Sequence, residues 1–147
     1  MCSTALDNVY GLKFHHLGLA VREPSAAVQF LAGLGYVAAE TVEDPLQNVN
    51  LIMCRHDVMP DVEIIYPAGG PAPIDRFLKE QTHGLVYHMC YETDDLEATL
   101  AQVQARDAFR LISVSPAKPA ILFGGRNVSF YIVVGVGLIE IMESGIK

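Results

Sequence analysis

Two stretches of the chain place a histidine at the head of an apolar run: HHLGLAV at residues 15–21 and VYHMCYE at residues 86–92. Two others set a carboxylate in an apolar frame, Glu63 in VEIIY and Glu140 in LIEIM. A shift of 72 residues carries His16 onto His88, and the carboxylates follow their histidines by 47 and 52 residues, so one five-residue loop insertion makes them repeat partners too. An ionised carboxylate alone in a low-dielectric strand costs several kcal/mol unless it is paired or coordinated. Neither glutamate has a basic residue close by in sequence, and a cation shared by the two halves would remove that cost. Two imidazoles with one or two carboxylates form a borderline-to-hard donor set that suits Zn, Ni, Co, Mn or Fe(II) and leaves positions open for water or substrate. The expectation is a catalytic divalent-metal site made by His16, Glu63, His88 and Glu140.

Singly, each residue has a plainer explanation, because a histidine starting a strand is often on the surface and a glutamate in an alternating strand can face water. Their repeat symmetry sets the four apart. His15, next to His16, is expected on the opposite strand face as a structural or solvent-exposed residue. Cys90 shares a face with His88 and reads as a small hydrophobe that can line a cavity. His56 and His83 fall in turn-like segments.

The elements that must position these residues repeat as well. Lys13 to Val21 alternates like a strand, with Phe14, His16, Gly18 and Ala20 on one face. A helix follows, with Pro24 in its first turn, Ala27, Phe30, Leu31 and Leu34 on its buried face and Gly35 at its stop. Apolar runs at 49–54 and 62–66 read as strands. The Gly- and Pro-rich AGGPAP, 68–73, separates the halves and leads into a short amphipathic helix, PIDRFLKEQ. The pattern then restarts with a strand at 86–93. A capping-box start at Asp94 and Glu97 opens a helix that buries Leu96, Leu100 and Val103 and ends near Arg106. Strands are expected at about 109–114, 127–134 and 137–142. The sequence therefore predicts an α+β fold of two βαβββ modules, about 13–67 and 85–144, in one domain spanning 13–144, with residues 1–12 as an N-terminal extension.

Composition limits the function classes. The 147 residues carry a formal charge of −7, with 17 acidic against 10 scattered basic side chains, which argues against a nucleic-acid partner. Three cysteines without a CxxC pair predict neither a disulfide framework nor a thiolate zinc site, so a cytoplasmic setting is expected. MCSTALDNVYG lacks the basic head and apolar core of a signal peptide, and no apolar run reaches membrane-spanning length.

With these motifs the chain resembles the vicinal oxygen chelate superfamily, which includes glyoxalase I, methylmalonyl-CoA epimerase, extradiol dioxygenases and the bleomycin- and fosfomycin-resistance proteins. The resemblance covers about residues 13–144 and is strongest toward the methylmalonyl-CoA epimerases, through HHLGLAV, PAPIDRFLKE, HGLVYHMCYETDDLEATLAQ and GLIEIME. It implies that the modules curl into a cupped mixed sheet around a metal held by His16, His88 and Glu140. Glu63 takes the place of a fourth, more variable ligand that is Gln in some epimerases and Glu in glyoxalases. It also implies a homodimer.

The implied chemistry is chelation of two neighbouring oxygens of a small acyl substrate, a thioester in the epimerases, so that an enolate is stabilised as it forms. Glu140 is one candidate base. Epimerases usually carry an acidic residue immediately before the Gln of the segment matching DPLQNV, and here that position is Leu46. Asp44, on the turn at Pro45, is the candidate second acid–base group, and Gln47 is expected to hydrogen-bond a substrate carbonyl or carboxylate. Arg126, in the loop FGGRN at 123–127, is the candidate partner of a substrate carboxylate. CoA itself calls for positive surface, which this acidic chain does not show as a cluster. Three other functions stay open: glyoxalase-type isomerisation of a glutathione hemithioacetal, oxygen chemistry at a non-haem Fe(II) facial triad, and small-molecule binding or resistance without turnover.

Overall fold

A computed structural model describes residues 7–145. Cys2, the first half of the expected N-terminal extension and the last two residues lie outside the described residues. The described chain runs β1 (Lys13–Ala20), α1 (Ser25–Gly33), β2 (Val37–Ala38), β3 (Val42–Asp44), β4 (Val49–Arg55), β5 (Asp61–Pro67), α2 (Asp75–Glu80), β6 (Leu85–Thr93), α3 (Leu96–Gln104), β7 (Leu111–Ala120), a 3-10 turn (Ile121–Phe123), β8 (Arg126–Val133) and β9 (Gly137–Glu143). All nine strands join one mixed sheet in the order β2-β4-β5-β1-β6-β9-β8-β7, with β3 also paired to β4. The halves mirror each other about the central pair. β1 runs parallel to β5 and β6 parallel to β9, while β1 and β6 are antiparallel. This is the expected α+β arrangement of two βαβββ units.

The first module's outer strand is broken into β2 and β3, neither of which the sequence reading identified. Both residues of β2 are exposed, so this edge carries no apolar stripe for periodicity to detect. The second module's outer strand, β7, continues to Ala120, beyond the expected end near 114. It does so through Pro116 and Pro119, which an edge strand tolerates because its outward N–H groups need no ladder partner. Its register against β8 shifts on both sides of Ser115.

Each helix packs a narrow stripe against the sheet. In α1 the contact face is Ala27, Val28 and Leu31, with Ile52, Cys54, Val62 and Ile64 beneath. Phe30, expected in that stripe, is 69% exposed, and Leu34 is also exposed, because a helix of nine residues on one side of a sheet buries only about one side-chain row. Gly35 stops the helix at φ 96°, with Gly35 N–H bonded to Ala32 O and Tyr36 N–H to Leu31 O. In α3 the buried residues are Val103 and Thr99, with Leu96 and Leu100 packed alongside. Thr99 Oγ1 pairs with Thr93 Oγ1 at 2.8 Å and donates to Tyr10 O, also at 2.8 Å. Residues just before β1 are thereby tied onto α3.

The α3 cap is Asp95, whose carboxylate accepts from Ala98 N–H at 2.9 Å, and not Asp94. Thr93 fixes the entry instead, accepting from Asp95 N–H through its Oγ1. Asp95→Ala is therefore expected to lower stability by about 1 kcal/mol, and Asp94→Ala to leave it nearly unchanged, as measured by urea unfolding of the two variants.

Candidate metal centre

The four expected ligands come from the four central strands and lie on two rungs of the ladder. On one rung Glu63 of β5 faces Gly18 of β1, which faces His88 of β6. On the other, His16 of β1 faces Cys90 of β6, which faces Glu140 of β9. The 72-residue shift relates His16 to His88 and Gly18 to Cys90, so the middle of each rung is a small residue two positions after a histidine. Small size is required there. A Cβ at Gly18 would lie 2.2 Å from Cε1 of His88, which means the imidazole lies over the glycine to reach the centre.

The donor atoms gather around Nε2 of His16. His88 Nε2 lies 3.5 Å from it, and Glu63 Oε1 and Glu140 Oε1 each lie 3.8 Å from it. Metal bonds of about 2.0–2.2 Å place neighbouring donors roughly 3 to 3.5 Å apart, close to these spacings. All four side chains are buried. Two polar atoms in this cluster, Glu140 Oε1 and His88 Nδ1, have no hydrogen-bond partner among the described residues, and an orphaned carboxylate oxygen aimed at two imidazoles is what a cation would satisfy. The residues fit a divalent ion.

Protonation follows from burial in the metal-free chain. Desolvation, with His88 and His15 adjacent, pushes His16 down to about 2, and desolvation takes His88 down to about 3. Both rings are thus neutral, as ligands must be. Desolvation lifts Glu140 to about 7, opposed by the neighbouring Cys90 thiol and aided by the Asp44 charge. Glu63 is raised well above the ordinary carboxylate range by burial and by the charges of Glu140 and Asp44.

Two residues that the sequence reading missed also belong to the site. The β1–β6 ladder slips by one residue between Phe14 and His16 and again between Gly18 and Leu19; the extra residues are His15 on β1 and Tyr87 on β6, themselves related by the same shift of 72. A bulge breaks strand alternation and re-aims the extra side chain. His15 therefore does not take the opposite face, as simple alternation predicts. Its Nδ1 lies 2.8 Å from His16 Nδ1, and if His15 accepts there, His16 carries its proton on Nδ1 and presents the Nε2 lone pair to the centre. Tyr87 packs edge-on to His88 with ring centroids 4.6 Å apart.

Phe123, at the end of the 3-10 turn, stacks on His16 at 5.4 Å and meets the His15 ring at 5.3 Å. The cavity beneath holds about 20 Å³ and is lined by Glu63, His88, Glu140, Asp44, Gln47 and Tyr87 among others, room for one water-sized group. It adjoins a groove of about 740 Å³ lined by Phe77, Val114, Phe130, Ile132 and Leu138, with Arg76 and Lys118 as its cations. Gln47, Tyr87, Val128 and Phe130 line both.

Asp44, expected on a turn, is the last residue of β3 and only 3% exposed. Its carboxylate accepts from Leu46 N–H at 3.0 Å and from Gln47 Nε2 at 3.1 Å, so it faces the cavity, while Leu46 is exposed. Arg126 is not brought to the cup. Its guanidinium pairs with Glu92 at 2.7 Å and donates through Nε to Glu143 O at 2.8 Å, and it lines neither cavity. The expected contact with a substrate carboxylate is corrected accordingly. Cys90 is fully buried against Glu140 and does not line the cup.

The profile of the glyoxalase/bleomycin resistance protein/dioxygenase superfamily matches residues 15–130. The chain belongs to that superfamily. Within it, the ethylmalonyl-CoA/methylmalonyl-CoA epimerase of Cereibacter sphaeroides is 28% identical over 107 residues, covering 71% of this chain and 78% of that protein. The mitochondrial methylmalonyl-CoA epimerase of Homo sapiens is 26% identical over 110 residues, covering 71% and 62%. In structure, the methylmalonyl-CoA epimerase from Mycobacterium tuberculosis superposes with a TM-score of 0.74 at 17% identity, over 95% of this chain and 93% of that one. The superfamily and its fold are thereby shown.

Two predictions follow from the geometry. Gly18→Ala is expected to displace the His88 ring and cut metal content to a small fraction of one ion per chain, measured by elemental analysis, while far-UV circular dichroism is retained. The metal-free protein should also show a stability maximum between about pH 4.5 and 6.5. Below that window the histidines, whose folded values are depressed, favour the unfolded state as it takes up their protons. Within it the protons that the two unfolded histidines gain are offset by those that folded Glu140, raised to about 7, and Glu63, raised well above the ordinary range, retain. Above it the histidines drop out and the unfolded chain's release of the glutamate protons lowers stability. Chemical unfolding across pH measures this, and adding metal should abolish the decline on the alkaline side.

Proposed function

We propose that this chain is a metal-dependent isomerase of epimerase type, which inverts a carbon next to the carbonyl of a small acyl or thioester substrate through an enolate. The observation that carries this reading is the placement of two carboxylates, Glu140 and Asp44, in the cavity that His88 and Glu63 also line, beside His16, whose Nε2 is 3.5 Å from that of His88. His16, His88, Glu140 and Glu63 would hold the ion, Co, Mn, Zn, Ni or Fe(II), which would supply Lewis-acid polarisation of the substrate, worth several kcal/mol at the developing charge. Glu140 takes the proton from the substrate α-carbon on one face. Asp44, steadied by Leu46 N–H and Gln47, must enter this step protonated and gives its proton to the other face, so that the turnover ends with Asp44 ionised and Glu140 protonated, and the reverse reaction exchanges the two roles. Gln47 Nε2 holds Asp44 while its amide borders both cavities, so it also meets the substrate where the cup opens. The groove accommodates the remainder of the substrate. Arg76 and Lys118 supply positive charge that no run in the sequence disclosed, consistent with the thioester-CoA substrates that the names of the relatives record.

Free, buried Cys54 and Cys90 suit a reducing cytoplasm, and no helix among the described residues is long and apolar enough to cross a membrane. Glu63, 3.8 Å from His16 Nε2, favours a second reading, glyoxalase-type isomerisation, in which a fourth ligand is glutamate. Turnover of a glutathione hemithioacetal with no exchange on acyl-CoA substrates would select it.

Incubation with Co(II) or Mn(II) and methylmalonyl-CoA in deuterated water should place deuterium at the α-position, read by mass spectrometry. Absence of exchange with that and other acyl-CoA compounds overturns the epimerase reading. Glu140→Gln should slow exchange by about 10²-fold or more. Asp44→Asn should suppress interconversion of the two α-epimers while exchange of the epimer that Glu140 deprotonates persists.

A further inference from the structure

Tyr87 stands at the junction of cup and groove with its hydroxyl uncommitted. The bulge on β6 turns it to the side of His88, and its ring is held between His88, at 4.6 Å, and Phe77 of α2, at 5.3 Å. A tyrosine clamped by two rings keeps one orientation, and this one lines both the small cavity and the long groove. Tyr87 is half-buried, and among the described residues its hydroxyl makes no hydrogen bond, which leaves that donor open to a group entering from the groove. The carboxylates of Glu63 and Glu140 are near enough to act on it, and together with burial they hold its proton on more firmly than in water. A phenol in the neutral range is a donor in any case. A fixed, unpartnered donor beside the metal donors and facing the space for substrate has the geometry of an oxyanion contact.

We propose that the Tyr87 hydroxyl donates a hydrogen bond to the substrate oxygen that gains negative charge, making Tyr87 a catalytic residue alongside Glu140 and Asp44. No proton is transferred in this step; the O–H stays on tyrosine and the hydrogen bond shortens as charge develops. The enolate assignment rests on the epimerase reading, but the contact to a chelated oxygen does not.

The test compares wild type with Tyr87→Phe, which retains the ring packing against Phe77 and His88 and removes only the hydroxyl. Both proteins are loaded with Co(II), and their metal content and melting temperatures are expected to match. Oxalate, a planar dianion with two neighbouring oxygens, is titrated into each and followed by the Co(II) visible spectrum. Binding to Tyr87→Phe should be roughly tenfold weaker, the loss expected for a hydrogen bond to a charged acceptor. On an acyl substrate that exchanges, kcat should fall by about 10²-fold with KM changed much less. Equal oxalate affinity in the two proteins, or no oxalate response in wild type, overturns the proposal. A weaker oxalate response in Tyr87→Phe with no α-exchange by wild type on any acyl substrate upholds the Tyr87 contact and rejects the epimerase reading, so the two failures are distinguishable.

Discussion

Two imidazoles and the Glu140 carboxylate gather at one buried point, with Glu63 3.8 Å from the His16 ring, and among the described residues no Lys or Arg forms a salt bridge with either glutamate. Removing a carboxylate from water is among the more expensive steps a fold can take. The metal-free chain meets that cost by holding protons on Glu140 and Glu63 that solvent-exposed glutamates would release, and by keeping His16 and His88 neutral. A divalent cation at the proposed site would take the place of those protons. The rest of the structure follows from this requirement: four strands from two modules must meet at one level, and small residues must stand between their ligands.

The duplication achieves this economically. Because the antiparallel central pair relates the modules, each rung carries a histidine from one module and a glutamate, and the rung centres are Gly18 and Cys90. The bulges preserve the symmetry while the two sites they create diverge in chemistry. His15 offers a ring nitrogen to His16 behind the centre, and Tyr87 brings an aromatic ring and a hydroxyl to the front, where the cup opens on the groove. Equivalent positions in the two halves thus carry different chemistry, an imidazole against His16 and a phenol where the cup meets the groove.

The βαβββ architecture was legible in the sequence, and the candidate ligands stood out there because histidine at the head of an apolar strand and glutamate inside one are chemically unusual, and each occurs twice in register. The bulges were not legible. A one-residue slip leaves no mark in composition, and simple alternation sent His15 to the wrong face. The signal that could have found them is the repeat itself: His15 and Tyr87 are partners under the shift of 72, both ring-bearing and both directly before a histidine. Asp44 reads in sequence as a candidate acid–base group on a turn because Pro45 follows it; that it ends a strand paired with β4 and buries its carboxylate is not legible in that local pattern. Arg126 suggested an anion site from its glycine loop, but Glu92 is 34 residues away in sequence and no local pattern announces such a partner. The exposed Phe30 shows that helical periodicity marks a face without saying how much of it the sheet covers.

X-ray absorption spectroscopy of the Co(II)-loaded protein examines the shared centre most directly. The account predicts a first shell of nitrogen and oxygen only, at about 2.0–2.2 Å, with outer-shell scattering from two imidazoles. A sulfur neighbour near about 2.3 Å would place the ion with Cys90 and His15, a grouping that also lies within ligand distance. That spectrum, or one without imidazole scattering, would contradict it.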